Sequence, residues 1–456
     1  MNVISNLSIK NRLPSLYENT FLRYFNFVAL YFAQGVPEGM LLYGIPAWMV
    51  MNGKTPGEIA SFVIACGLPW SFKFIVAPMM DRFTFLKMGR KRPWVIFGQL
   101  GLMTTFIIMS FVDDPLNNLH TLMLAGFTVS FFGAFQDVAT DGMAVDIIPV
   151  EEQAKANGLM WGAKIIGTSF SLAVGSWLLH LYDFSTSILM LSVLVCLIMM
   201  VPICIRERPG EKLLPWTKGE ASSESEKMQL TNFKDIFKSL YKAFTLRNSL
   251  LFALIIFITE AAFNYIDTLL PIFTVQHLGW TDQIYSNFYA TSSLIGGISG
   301  MLIGGYLIDR FGKIQMLNIY LFLLFALSSG FVFLNSHWHN RLLIIGFLII
   351  YQMLYVFCMI GIFAIAMQCC WKKVSASQFT LFMTISNIGR LVGAALIVPI
   401  KASFSWEYTV LSFSILIIIM WIALQFLNIN KQVARIQELD NLDYDYQVLL
   451  LSVNKN

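Results

Sequence analysis

Charged side chains are scarce in this chain of 456 residues. Asp, Glu, Lys and Arg make up 13% of it, and hydrophobic residues make up 57%. An ordinary soluble domain carries about 25% charged residues, so the composition excludes a typical water-exposed globular fold. We expect a chain that lies mostly within a lipid bilayer.

The sequence patterns of several enzyme and pump classes are also missing. The chain has no H-E-x-x-H, no G-x-x-x-x-G-K-[ST] and no nucleophile elbow, the marks of zinc hydrolysis, nucleotide binding and acyl transfer. All six cysteines lie in apolar runs, without metal-ligand spacing to histidine. We predict no enzyme, catalytic residue, metal, cofactor or nucleic-acid partner. An intramembrane enzyme or a sensor is the alternative from another class.

Twelve apolar runs are long enough to cross a bilayer as helices, since a span needs roughly 20 residues. They predict an all-α membrane protein with twelve transmembrane helices in two six-helix pseudo-repeats. The predicted domains are an N-terminal bundle (1–205), a cytoplasmic linker with an amphipathic helix (206–247), a C-terminal bundle (248–428) and a cytoplasmic tail (429–456). The predicted spans are 24–51, 57–79, 94–112, 119–148, 155–180, 186–205, 248–275, 283–308, 314–334, 341–370, 375–400 and 406–428.

The distribution of positive charge predicts the orientation. If both termini lie inside, 25 of the 31 Lys and Arg residues fall on the inner side, and only Lys54, Arg341 and Lys401 fall outside. Inner loops of membrane proteins carry such an excess. We therefore expect both termini in the cytoplasm.

The second part of the linker predicts an amphipathic helix. Apolar residues recur at helical spacing from Phe233 to Phe244, and Lys234, Lys238 and Lys242 lie between them. This pattern is typical of a helix on a membrane surface. Packing against the protein's own loops is an equally good interpretation.

One short signature occurs in each half. Asp309 and Asp81, 228 residues apart, each end an apolar run and open a basic loop. The aspartates can accept hydrogen bonds from a neighbouring helix N-terminus, which predicts a gate latch on the inner side. Arg82 and Arg310 are expected to complete the network; the alternative is that the basic loops only set the topology. The assigned latch residues are Asp81, Arg82, Gly89, Arg90, Asp309, Arg310, Gly312 and Lys313.

Eight ionisable side chains lie deep within the predicted spans, where a charge costs several kcal/mol. Five are acids and three are bases, so two acids lack a cation partner. A buried carboxylate without a partner usually takes up a proton, and this surplus predicts proton coupling. The eight are Glu38, Asp137, Asp141, Glu260, Asp267, Lys73, Lys164 and Arg390.

Helical spacing groups some of these residues. Asp137 and Asp141 share a face, and Lys73 at a similar depth is expected to pair with one of them. Glu260, Asn264 and Asp267 form one polar stripe, which predicts a cavity lining. We assign proton coupling to Glu38, Asp137, Asp141 and Glu260. We assign solute binding to Lys73, Lys164, Asn264, Asp267, Tyr351, Tyr355, Asn387 and Arg390. Structural ion pairs are the alternative for the charged members.

Two six-span halves with one signature each resemble the major facilitator superfamily, which implies a site between the halves near the midplane. The segments Phe72-Lys73-Phe74 to Arg92 and Gln136-Asp137 to Pro149 resemble the AmpG-like muropeptide permeases, and Gln34-Gly35-Val36-Pro37 is similar to acetyl-CoA transporters. The resemblance implies a proton-driven carrier of an anhydromuropeptide or related solute in a bacterial inner membrane. We expect it to be a monomer that imports its solute by alternating access. A carrier of acetyl-CoA or another anionic metabolite is the alternative, although its phosphates require more than three cavity cations.

Overall fold

The computed structural model describes residues 15–230 and 232–453. Twelve membrane-length helices dominate these ranges, which contain no β-strand. Helix α1 runs over Thr20–Gly39 and continues through a π-helical turn, Met40–Gly44, into Ile45–Met51. The helices that follow are α2 (Pro56–Arg82), α3 (Arg92–Ser110), α4 (Leu119–Ile147), α5 (Gln153–Leu181), α6 (Phe184–Cys204), α7 (Arg247–Gln276), α8 (Asp282–Ser299, continued through Gly300–Gly304 into Gly305–Phe311), α9 (Lys313–Phe333), α10 (Arg341–Cys369), α11 (Ser375–Ser403) and α12 (Trp406–Gln425).

Eleven helices in the described part of the chain are long and apolar enough to cross a membrane. They correspond to α2–α12. Helix α1 falls below that level of hydropathy because it carries Arg23, Asn26, Gln34 and Glu38. The predicted all-α fold of twelve helices is confirmed.

A proline lies just before the π-helical turn of α1. Pro37 lies inside the helix and has no backbone N–H to donate. The backbone N–H of Met40 contacts the carbonyls of both Val36 and Pro37. Because π-turns widen a helix locally and often occur at functional sites, this segment draws attention to the neighbouring Glu38.

Glycines bring helix backbones into contact within each half. A Cβ added at Gly35 of α1 would lie 2.4 Å from the carbonyl oxygen of Lys164 in α5. In the second half, a Cβ at Gly393 of α11 would lie 2.2 Å from the carbonyl oxygen of Ala261 in α7. The pairs α1–α5 and α7–α11 therefore pack closely because no side chain separates them.

The two halves also meet along glycines. Helix α5 faces α8 where a Cβ at Gly158 would lie 2.7 Å from the carbonyl oxygen of Gly300. Nearby, a Cβ at Gly305 would lie 2.5 Å from the carbonyl oxygen of Ala154. Helices α5 and α8 therefore approach closely because no side chain separates their backbones at these positions.

Both signature loops lie at one end of the bundle, which we call the loop end. The segment that follows α6 crosses this end, where Ser15 and Arg206 form a β-bridge. The linker helix, Phe233–Phe244, and the C-terminal helix, Ile429–Val453, also lie here. Ile236 of the linker helix and Ile436 of the C-terminal helix are buried in one cluster with Trp371. One face of the linker helix thus packs against protein. This contact agrees with the interpretation that the helix packs against other parts of the chain.

Candidate functional site

A cavity of about 330 Å³ lies between the two halves. Helices α1, α2, α4 and α5 line it from the first half, and α7, α10 and α11 line it from the second half. Eight of the residues assigned to proton coupling or solute binding contribute to this lining. They are Glu38, Lys73, Asp137, Asp141, Lys164, Glu260, Asn387 and Arg390.

The three basic residues of the cavity become less exposed toward the loop end. At 1.5 Å rise per residue, Arg390 lies about 22 Å along α11 from the loop end and Lys73 about 14 Å along α2. The side chain of Arg390 is 57% exposed, that of Lys164 is 20% exposed and that of Lys73 is 7% exposed. The cavity is therefore open toward the opposite end of the bundle and closed at the loop end.

Lys73 and Asp137 form a buried ion pair between α2 and α4. The lysine Nζ lies 2.8 Å from Asp137 Oδ2. The two side chains are 7% and 9% exposed, so each charge relies on the other for compensation. One of the two pairings expected from the sequence is therefore present.

Asp141 lies one turn from Asp137 on α4 and is also buried. Its carboxylate accepts a hydrogen bond from the hydroxyl group of Tyr31 in α1. Among the residues that the structure describes, Asp141 has no ion-pair partner. It is one of the two surplus acids that the residue count predicts.

Lys164 lies among groups that recognise a cation. Its Nζ is 2.9 Å from Glu38 Oε2. The same Nζ lies 5.4 Å from the ring centre of Trp70 and 5.7 Å from that of Trp161. Aromatic faces attract cations at this range. The two indole rings also offer flat apolar surfaces to a solute.

In the second half, Glu260 of α7 lies beside Arg390 of the neighbouring helix α11. Arg390 Nε lies 3.9 Å from Glu260 Oε2, and Ser386 Oγ donates to Glu260 Oε1 at 3.0 Å. This ion pair is long, and the arginine is largely exposed. Its guanidinium therefore keeps donors that can bind a carboxylate of a solute.

Four residues assigned to solute binding lie outside the cavity lining. Asp267 accepts a hydrogen bond from Tyr351 Oη at 3.0 Å, and the ring of Tyr355 stacks on that of Tyr351 at 6.2 Å. Asn264 accepts from Thr268 on the same helix. Asp267 does share the helical face of Glu260, but it lies about 10 Å further along α7. The polar stripe therefore extends past the lining of this cavity. The assignment of solute binding to Asn264, Asp267, Tyr351 and Tyr355 stays a prediction.

The structure adds lining residues that the sequence analysis missed. Tyr31, Trp70, Ser130 and Asn157 face the cavity, and Trp70 Nε1 donates to Ser130 Oγ at 3.0 Å. The sequence could have predicted that Trp70 lines the cavity, because Trp70 precedes Lys73 by three residues and shares its helical face. Tyr31 carries no such signal, since its partner Asp141 is on another helix.

At the loop end, Asp81 joins the two halves. Its carboxylate Oδ2 accepts hydrogen bonds from the backbone N of Ser377 at 2.9 Å and from Ser377 Oγ at 2.6 Å, in the first turn of α11. Lys91 contacts the same carboxylate. Burial lowers the pKa of Lys91 below its usual value, and the carboxylate of Asp81 opposes that effect.

Arg90 makes a second link between the halves. It donates to the carbonyl oxygen of Lys373 at 2.5 Å and also to that of Lys372. Its other partner is Asp146 Oδ2 at 2.8 Å. Arg90 is fully buried. Its contacts join the loop before α11 to the end of α4.

Asp309 repeats the contact of Asp81 with the roles of the halves exchanged. Its carboxylate accepts from the backbone N of Ala154 at 3.1 Å and from that of Lys155 at 2.8 Å, at the start of α5. Lys313 donates to Gln153 Oε1 at 2.9 Å. Both signature aspartates therefore accept bonds from a helix N-terminus of the opposite half, as expected.

Of the two signature arginines, Arg310 is placed differently from the expected network. Arg310 is exposed and donates to Tyr306 Oη at 2.7 Å, one turn back on its own helix. Its position, one residue after Asp309, turns it away from the interface between the halves. The guanidinium of Arg82 lies 4.2 Å from the ring centre of Phe233 in the linker helix. Arg90, Lys91 and Lys313 also make polar contacts where the two halves meet.

Gly89 is required by a residue that the sequence analysis did not assign. Glu207, after α6, accepts from the backbone N atoms of Lys91 and Arg92 at 2.9 Å each. A Cβ at Gly89 would lie 2.6 Å from Glu207 Oε2, and Gly89 has a φ of 108°. Gly312 of the second signature has a φ of 95°. Both turns favour glycine because other residues are strained at positive φ.

The arrangement defines a class: a multi-pass membrane protein of two six-helix halves with a charged, solute-sized cavity between them. The Major Facilitator Superfamily model matches residues 27–394, so the chain belongs to this superfamily. Transport across a membrane is its function class.

Comparison with individual proteins agrees with this placement. The chain is 24% identical over 362 residues to the anhydromuropeptide permease of Escherichia coli (strain K12), which covers 79% of this chain and 70% of the relative. The likeness to muropeptide permeases expected from the motifs is confirmed. A crystal structure of the transporter FucP in the outward conformation has a TM-score of 0.63 at 14% identity and covers 89% of this chain and 98% of its own. A bacterial homologue of the iron transporter ferroportin has a TM-score of 0.63 at 11% identity and covers 88% and 98%. These two likenesses show the fold.

Proposed function

We propose that this protein is a proton-coupled importer of a small organic solute that works by alternating access in a bacterial inner membrane, with both termini in the cytoplasm. The observation that carries the proposal is the charge arrangement of the cavity. Three acids pair with three cations, whereas Asp141 has only the hydroxyl of Tyr31 as a partner among the described residues. A carboxylate that is buried without a cation is suited to gain and lose a proton during transport.

The lining favours a solute that contains both flat rings and charges of both signs. Trp70 and Trp161 offer faces for sugar rings. Lys164 and Arg390 can bind carboxylates, and Glu38 can bind an amine. An anhydromuropeptide has sugar rings, carboxylates and an amine, and the relative described above is named as a permease for such compounds. We therefore propose an anhydromuropeptide or a related sugar–peptide as the solute.

An acetyl-CoA carrier is the second candidate, and the charges of the cavity oppose it. The lining contains four acids (Glu38, Asp137, Asp141 and Glu260) and three cations (Lys73, Lys164 and Arg390). Each cation already lies within 4 Å of an acid. A polyphosphate would have to displace these acids, so it gains little from the site.

The latch supports alternating access. Asp81 and Asp309 each hold a helix N-terminus of the other half at the loop end, while the cavity is open at the opposite end. If the loop end is cytoplasmic, this is an outward-open arrangement. Release of both contacts would let the halves rock along the glycine surface of α5 and α8 and would open the cavity inward.

Counterflow in proteoliposomes tests the class and the solute together. Vesicles that contain purified protein and unlabelled anhydromuropeptide should take up the labelled compound transiently against its gradient. Excess unlabelled acetyl-CoA should not compete. Product formation without net flux would indicate an enzyme, and competition by acetyl-CoA alone would favour the second candidate.

A further inference from the structure

The linker helix, Phe233–Phe244, presents two different faces. Ile236, Ser239 and Ala243 are buried, and this buried face packs on Trp371 and Val374 of the second half. These positions are three or four residues apart, as one side of a helix requires. The protein covers this side, so membrane contact is left to the remaining surface.

The remaining surface combines exposed aromatic rings with lysines. Phe237 is 55% exposed and Tyr241 is 70% exposed. Lys234, Lys238 and Lys242 are exposed along the adjacent edge of the helix. The two aromatics and the three lysines each recur every four residues, so they form two parallel rows. No ion-pair partner for the three lysines occurs in the described part of the chain.

The linker helix lies beside the loop end of α2, where the lipid-facing surface of α2 reaches the edge of the membrane. Phe72, Ile75, Met79 and Phe83 are exposed at helical spacing along α2, from mid-helix to its loop end. Such an apolar row on a spanning helix faces lipid. Phe233, the first residue of the linker helix, contacts Phe83 with ring centres 5.8 Å apart. The linker helix therefore begins at the headgroup level of the bilayer.

From these observations we propose that Phe237, Tyr241, Lys234, Lys238 and Lys242 form a docking surface for the anionic phospholipid headgroups of the surrounding bilayer. The aromatic rings lie at the boundary between headgroups and acyl chains, a position that such side chains favour. The lysines reach the phosphates, and three positive charges are attracted to an anionic surface.

Docking of this helix also acts on the latch. Its first residue contacts the end of α2 in the first half, and its buried face packs on residues 371–374 of the second half, beside the carbonyls that Arg90 binds. A helix held on the membrane surface keeps both contacts in place. Anionic lipid therefore favours the arrangement in which the loop end is closed.

Hydrogen–deuterium exchange of the full chain in nanodiscs tests this surface. Amides of 233–244 should exchange more slowly in discs containing phosphatidylglycerol than in discs of phosphatidylcholine alone, by up to about 100-fold, the gain that three lysines supply at an anionic surface. High salt should remove the difference because it screens these charges. The variant Lys234→Gln/Lys238→Gln/Lys242→Gln should lose it as well.

The matched control is Lys218→Gln/Lys227→Gln/Lys431→Gln, which removes three exposed lysines elsewhere at the loop end and should keep the protection. Equal melting temperatures in phosphatidylcholine discs would show that the variants fold. If the triple lysine variant does not fold, the single variant Lys238→Glu replaces it in the experiment. Equal protection by phosphatidylcholine, or protection that survives the loss of the lysines, would overturn the proposal. Protection by inorganic phosphate in phosphatidylcholine discs would also overturn it, because the site would then bind a free anion.

Discussion

Replacing Asp309 by Asn should weaken the latch without changing the size of the side chain. Both hydrogen bonds of Asp309 cross to the other half, where its partners are the backbone N atoms of Ala154 and Lys155 at 3.1 and 2.8 Å. Asn keeps one acceptor oxygen and loses the negative charge that favours a helix N-terminus. Hydrogen bonds to a charged group are worth about 1.5–3 kcal/mol and neutral ones about 1. The loss is therefore about 1–2 kcal/mol, which shifts the ratio of closed to open loop ends by about 5- to 30-fold.

The shift can be read from distances between spin labels by double electron–electron resonance. Lys87 and Lys372 are exposed at the loop end, one in each half, and both can be replaced by labelled cysteines. The native Cys196 and Cys204 are partly or fully exposed and should first be changed to Ser. Asp309→Asn should add a longer distance to the distribution or enlarge one already present.

Arg310→Gln is the matched control. The residue is adjacent in sequence, yet it is exposed and donates to Tyr306 on its own helix. Its replacement should leave the distance distribution as in the parent protein. An unchanged distribution in Asp309→Asn, or an equal change in Arg310→Gln, would refute the assignment of a latch to Asp309.

Three further predictions concern stability. Gly89→Ala should lower the melting temperature, because φ at Gly89 is 108° and the new Cβ would meet Glu207 Oε2 at 2.6 Å; an unchanged melting curve would contradict this. Lys73→Met should lower the free energy of unfolding by about 3–5 kcal/mol because it leaves Asp137 buried without a cation. Adding Asp137→Leu should recover most of this stability, measured by denaturant unfolding. Additive losses in the double variant would contradict the ion pair between Lys73 and Asp137. Burial and the nearby Glu207 raise the pKa of Glu211 to about 8. Because this pKa is raised in the folded state, Glu211 contributes fully to the free energy of unfolding at pH values below about 4.5, and the contribution is lost as the pH rises to about 8. The melting temperature should fall over that window, and Glu211→Gln should flatten the fall. Parallel curves of melting temperature against pH for the two proteins would contradict the assignment.

Much of the fold follows from composition and spacing. Apolar runs of membrane length predict the twelve helices, since lipid leaves a spanning backbone few other choices. The imbalance of five deep acids over three bases also anticipates that Asp141 and Asp267 have no cation partner among the described residues. The interface roles of Asp81 and Asp309 follow from their positions at helix ends beside basic loops.

Contacts between distant helices do not follow from one sequence. Ser377, the partner of Asp81, is 296 residues away, and no periodicity indicates which helix N-terminus will face a given carboxylate. The same limit applies to Tyr31, which bonds Asp141. Helical spacing also gives the face of a residue but not its level relative to a cavity, so it does not predict that Asp267 lies outside the lining described here.

Transport driven by a pH gradient tests the central claim, that the protein couples a proton to solute movement through Asp141. Proteoliposomes should accumulate labelled anhydromuropeptide when the outside is acidic, and Asp141→Asn should abolish this accumulation while retaining counterflow in the absence of a gradient. Asp113→Asn, which changes an exposed loop acid, should keep both activities. Gradient-driven accumulation that persists in Asp141→Asn, with counterflow intact, would contradict the account.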